Sequence, residues 1–156
     1  MLLVTVAAVG MVLGCSTGDV SDPDTRRTLT AQQSELRDGV PGLGRPVAER
    51  REGRTGLSGG GAHVYAAFPV DPAGWQAQYE QIAAQLARMG FTSTVPRKEP
   101  TAPATPGDPR NWQRERGRVM ASVVYFPTVG AVRLGSSSPH GLAPGAYAVV
   151  SFAATT

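Results

Sequence analysis

Apolar and polar positions divide the chain into three regimes. Met1 to Gly14 is a mostly apolar run without a charge, closed by Cys15. Ser16 to Gly61 is polar and glycine-rich, with few apolar anchors. From Ala62 onward, apolar residues recur at the spacings of packed elements.

The clearest periodicity lies between Pro72 and Met89. Trp75, Tyr79, Ile82, Leu86 and Met89 fall at steps of 4, 3, 4 and 3 residues, which places them on one face of a helix. Alanines at 73, 77, 83, 84 and 87 favour the helix. Asp71 is the expected N-cap with Pro72 at the first helical position. Gly90 suits the left-handed position after the last turn, and Phe91 the apolar contact that follows it. Trp75 and Tyr79 belong on this reading to the core edge or to a ligand platform.

Strands are expected at His63–Val70, Phe91–Val95, Arg118–Phe126, Ala131–Leu134 and Ala146–Ala153. Those at 118–126 and 146–153 are apolar on both faces and so belong inside a sheet. The first two, joined through the helix, are expected as parallel neighbours through a right-handed crossover. A short helix is expected at 29–38, capped by Thr28 or Thr30 and ended by Gly39 and Pro41. Val47–Thr55 mixes Arg50, Arg51 and Arg54 with Glu49 and Glu52, and reads as a solvated strand or loop. The fold class is therefore α+β: a small, mostly antiparallel sheet of 4–5 strands with one main amphipathic helix on one face. The domain is expected at residues 62–154, interrupted by a surface loop at 96–109 that holds five prolines and excludes helix or inner strand.

Composition narrows the chemistry. The 19 glycines and 13 prolines concentrate in the approach to the domain and in that loop. A single cysteine excludes an intrachain disulfide and, with two distant histidines, a Cys/His zinc cluster. No metal or cofactor is expected: phosphate-loop and calcium-loop patterns are missing, and Gly59–Gly61 lacks the Lys and Ser/Thr that would follow in a phosphate loop. His63 lies at the mouth of a strand, and His140 follows Ser136, Ser137 and Ser138. Their spacing to Asp71 or Asp108 supports no triad, and there is no G-x-S-x-G elbow. The net charge is +3, carried almost wholly by arginine, with Lys98 the one lysine. Arg110–Arg118 is basic around Trp112, and Arg114, Arg116 and Arg118 alternate as they would along one strand face. Nucleic acid is not expected as a partner at this net charge. Anionic headgroups or an anionic polymer fit better, with a solvated, aggregation-resistant strand edge as the bland alternative.

The segment Val12-Leu13-Gly14-Cys15, at the end of an apolar run too short to span a bilayer, resembles the lipobox of bacterial lipoproteins, in particular the small lipoproteins of actinobacteria. The family's positive charge ahead of the apolar run is missing here. The resemblance implies an export signal at 1–14, cleaved before Cys15, and acyl chains on Cys15 that anchor the protein to the outer face of the cytoplasmic membrane. Residues 15–61 then form a lipid-anchored tether. The expected function is a cell-envelope lipoprotein whose exported domain binds or supports another envelope protein or polymer without catalysis, with Trp75, Tyr79, Trp112, Arg114, Arg116 and Arg118 as the candidate binding surface. The alternative is an exported hydrolase or a small-ligand sensory domain around His63, His140 and the serines.

Overall fold

Leu29 and Leu36 lie seven residues apart, two helical turns, and that spacing seats a longer helix than the local propensities suggest. In the computed structural model, which describes residues 23–54, 61–94, 107, 109–127, 131–132 and 140–155, α1 runs Pro23–Gly39. It buries Leu29, Gln32, Gln33 and Leu36. The expected 29–38 helix is thus extended toward the N-terminus by six residues and packed on the sheet. Of the stretch read as tether, residues 23–54 belong to the folded body.

The charged stretch after α1 is a strand, β1 (Ala48–Arg54), paired antiparallel with β2 (Gly61–Val70). Its alternation of Glu and Arg suits an edge, where charge deters pairing with another chain. After β2, Asp71 forms a turn, its Oδ1 accepting from Ala73 N at 3.0 Å and its carbonyl from Gly74 N at 3.1 Å. The helix α2 (Trp75–Arg88) starts after that turn with Gly74 at its N-cap. Asp71 therefore caps the turn and not the helix. The C-terminus is as the pattern predicts. Gly90 has φ +84°, Gly90 N donates to Ala87 O at 3.0 Å, and Phe91 N donates to Leu86 O at 2.9 Å, a Schellman arrangement with Phe91 buried beneath it.

The remaining strands are β3 (Thr92–Ser93), β4 (Arg110–Arg114), β5 (Val119–Phe126), β6 (Ala131–Val132), β7 (His140–Gly141) and β8 (Ala146–Thr155). The main sheet has six strands in the order β1-β2-β8-β5-β4-β3, antiparallel at every pairing, and β6 and β7 form a separate two-stranded ribbon. Two expectations change. Among the described residues the sheet carries two helices and six strands, not one main helix and 4–5 strands. The strands on either side of α2 are not parallel neighbours: β8, β5 and β4 stand between β2 and β3. The closing strand β8 supplies the reason. It pairs along its whole length with β2 on one side, and over Tyr147–Ala154 with β5 on the other, so the C-terminus fills the middle of the sheet.

One face carries the core. Val64, Ala66 and Phe68 of β2, Val150 and Phe152 of β8, and Ala121 and Val123 of β5 pack against Leu29, Leu36, Ile82 and Leu86 of the two helices. The opposite face holds a smaller cluster, Ala67 and Val149 with Ala48, Tyr65, Phe126 and Leu142. The signal segment, Cys15, residues 58–60 of the Gly-rich joint, Val95 of the expected strand and most of the Pro-rich loop (96–106 and 108) lie outside the described residues, as do Ser136–Pro139. Among the described residues no helix is long and apolar enough to cross a membrane.

Candidate functional site

The aromatic residues singled out by the sequence come together. Trp75 and Tyr79 sit one turn apart on α2, and Trp112 projects from β4 onto the helix-covered face opposite Ala121. A fourth ring, Tyr125 of β5, joins them. Trp75 stacks on Tyr125 with ring centroids 4.1 Å apart and planes 3° from parallel. Tyr79 bridges the group, 6.5 Å from Trp75 and 6.0 Å from Trp112. These rings fill the space between helix and sheet. The slot that Val70, Ile82 and Val123 complete leaves a cavity of about 10 Å³, at the lower limit for one water molecule. Trp112 is 5% exposed and Tyr125 5%. The aromatic set is a core edge, with Trp75 and Tyr79 half-buried at its rim, and not an open ligand platform.

Desolvation in this cluster raises the hydroxyl pKa of Tyr79 above the ordinary tyrosine value, and the positive charge of Arg110 partly offsets it. Tyr125 is also raised, chiefly by desolvation and secondarily by the negative charge of Asp71. Both phenols are neutral acids at physiological pH. They offer hydrogen bonds there, not charge.

The three arginines expected on one strand face are separated by a turn. Arg114 ends β4, and Glu115, Arg116 and Gly117 turn tightly with φ of 54°, 57° and 88° before β5 begins. Arg114 is held inward: its guanidinium lies 5.0 Å from the Phe91 ring centroid, one terminal nitrogen donates to Met89 O at 3.2 Å, and the other lies 3.5 Å from Glu115 Oε1. Arg116 and Arg118 stay exposed on the turn. The basic segment therefore divides into one structural arginine and two surface ones.

That turn meets the start of α1. Arg114, Glu115, Arg118 and Val119 on one side, and Asp24, Thr28 and Gln32 on the other, wall a cleft of about 370 Å³. A second recess, of about 510 Å³, runs along the outer side of α1 and is walled by Arg26, Arg27 and Arg51 with Thr30 and Ser34. Arg27 is tied to Asp24 at 3.0 Å in an exposed pair. Both features gather arginine at the end of the molecule where the described chain begins.

His63 lies on the sheet face opposite the core, its Nδ1 3.0 Å from Tyr65 Oη and the rings stacked at 5.8 Å. Cross-strand from it is Glu52, which holds Arg50 at 2.7 Å. Among the described residues no group of three His, Cys, Asp or Glu side chains is placed to hold a metal ion.

Sequence reasoning passed over Gln32 and Gln33. They interrupt the Leu29–Leu36 stripe of α1, and a polar residue on a buried stripe is the signal that marks them. Gln33 reaches across to β1, its Nε2 donating to Glu49 Oε1 at 3.0 Å. Gln32 faces the 370 Å³ cleft. Comparison with protein-family models, curated proteins and solved structures finds no match to this chain.

Proposed function

We propose that the protein is a lipid-anchored component of the cell envelope, held by Cys15 at the outer face of the cytoplasmic membrane, whose domain binds or supports another envelope component and carries no reaction of its own. The observation that carries the reading is the placing of charge relative to the chain's entry. Arg116 and Arg118 stay exposed on the β4–β5 turn, which meets the start of α1. The arginine-walled recess of Arg26, Arg27 and Arg51 adjoins the same helix start.

Seven residues, Ser16 to Asp22, separate Cys15 from Pro23. Fully extended, that length reaches at most roughly 28 Å. An acylated Cys15 then keeps this arginine-bearing end within reach of the membrane surface, where anionic headgroups or an anionic wall polymer concentrate negative charge. The interaction is electrostatic and weakens with salt.

Expression of the full chain in a bacterial host with labelled palmitate tests it. The parent should take up label, fractionate with membrane and run at the size of a chain cut before Cys15. Cys15→Ala should lose the label and the cleavage. A Cys15→Ala chain that stays membrane-bound at the parent's size overturns the anchor. Paired Arg116→Gln and Arg118→Gln substitutions should leave labelling intact and reduce retention on anionic vesicles at low salt.

A further inference from the structure

The cleft between α1 and the β4–β5 turn is distinguished by polar groups that the fold leaves without partners. Gln32 is 4% exposed, and neither its Nε2 nor its Oε1 makes a hydrogen bond. Nor does Arg114 Nε, which is also shielded from solvent. Native proteins leave few buried polar groups unpaired. Here these atoms belong to two residues, from elements distant in sequence, that line one cleft.

We infer that this cleft binds a short peptide segment bearing a carboxylate. A glutamine amide presents one donor and one acceptor at the same end, the complement of a peptide group's C=O and N–H. Arg114 has its two terminal nitrogens engaged by Met89 O and Glu115, which fixes the guanidinium with its Nε shielded, so it offers a carboxylate its charge and not a hydrogen bond. Arg118, exposed at the rim, supplies a second positive group. Charge at the cleft is balanced, with Arg114 and Arg118 against Asp24 and Glu115. That balance suits a ligand of one or two charges and disfavours a polyanion. Leu29, Val119 and Ala154 give an apolar floor for a side chain, and about 370 Å³ lies within the size range of small-ligand sites. Because its amide is shielded, Gln32 must turn that group toward the cleft on binding, exchanging an unpartnered amide for a partnered one.

The same chemistry has two sources: a free peptide, or the chain's own Ser16–Asp22, which carries Asp19 and Asp22. The site does not depend on acylation of Cys15. It is tested with the full chain in detergent micelles, following the Gln32 side-chain amide and Arg114 Nε–H signals by two-dimensional ¹H–¹⁵N NMR while trialanine or trialanine carboxamide is added. A second chain replaces Ser16–Asp22 with a glycine-serine linker of equal length. Saturable shifts of both signals with trialanine are expected, with the carboxamide several-fold weaker. Gln32→Met, of similar shape and without polar atoms, should keep the circular dichroism of the fold and weaken binding tenfold or more. Arg118→Gln should weaken it several-fold. Binding in both chains assigns the site to free peptide. Binding only after linker replacement assigns it to the chain's own segment. The proposal is overturned if neither chain shifts these signals, or if Gln32→Met binds trialanine as the parent does.

Discussion

Two residues in the β4–β5 turn hold a backbone that side chains resist. Glu115 and Arg116 both lie in the left-handed region, followed by Gly117 at φ +88°. For a residue with a Cβ that conformation costs about 1 kcal/mol, and the antiparallel register Arg114↔Val119 imposes it. Gly117→Ala should therefore lower stability by about 1 kcal/mol. Arg116→Gly should be neutral or stabilising by a few tenths of that, as relief of strain meets the entropy of the extra glycine. Urea midpoints separate the two; a loss in Arg116→Gly as large as in Gly117→Ala would show that the arginine side chain holds the turn.

Tyr79 and Tyr125 carry raised pKa values from burial between α2 and the sheet. The folded state thus holds their protons more tightly than the unfolded chain does. Their contribution is full below about pH 10, the ordinary tyrosine value, and is lost as pH rises through the raised folded values. Urea midpoints measured from pH 8 to 12 should fall at the alkaline end, and Tyr79→Phe with Tyr125→Phe should flatten that fall. A double variant as alkali-sensitive as the parent would place the titration elsewhere.

At the scale of elements, the two helices are joined through the Gln85 amide and Arg88. Gln85 Nε2 donates to Glu35 O at 3.3 Å, its Oε1 accepts from Arg88 Nε at 2.8 Å, and Arg88 reaches Gly39 O at 3.4 Å. A methyl group on Gly39 would overlap the Gln85 amide. The far end of a glutamine is mobile, but this one is 7% exposed and held by two hydrogen bonds, so moving it forfeits both. Gly39→Ala should cost about 1–3 kcal/mol. Adding Gln85→Ala should make the alanine at 39 nearly harmless, a coupling that a double-mutant cycle in urea reads directly. This contact explains why α1 belongs to the body although its propensities define only a short helix: tertiary packing stabilises most helices, and α1 has a partner on both the sheet and α2.

At the scale of the whole molecule, the C-terminal strand decides the architecture. β8 is central, between β2 and β5, and carries Val150 and Phe152 into the core. A chain stopped after Gly145 keeps both helices' sequence and most strands but leaves β2 and β5 without the strand that joins them. It should show no cooperative thermal transition by circular dichroism. A truncated chain that melts near the parent's temperature would mean that β2 and β5 pair without β8.

Local pattern determined what depends on neighbours along the chain. The stripe from Trp75 to Met89, the glycine stop at 90 and the strands 118–126 and 146–153 could be read because a helix face and a buried strand leave their periods in the sequence. The apolar bulk of Trp75, Tyr79 and Trp112 could be read too, but not that they meet, which the packing of α2 on the sheet decides. The charged β1 and the nine residues around Trp112 could not be read in the same way. An edge strand's identity comes from hydrogen bonds to a partner far along the chain, and the turn that parts Arg114 from Arg116 is set by the β4–β5 register. Gln32 is the sharpest case. Its place on the α1 stripe is visible in the sequence. That its amide has no partner, and that Arg114 shares its cleft, only the packing of α1 against the sheet decided, because both depend on contacts between residues more than eighty positions apart.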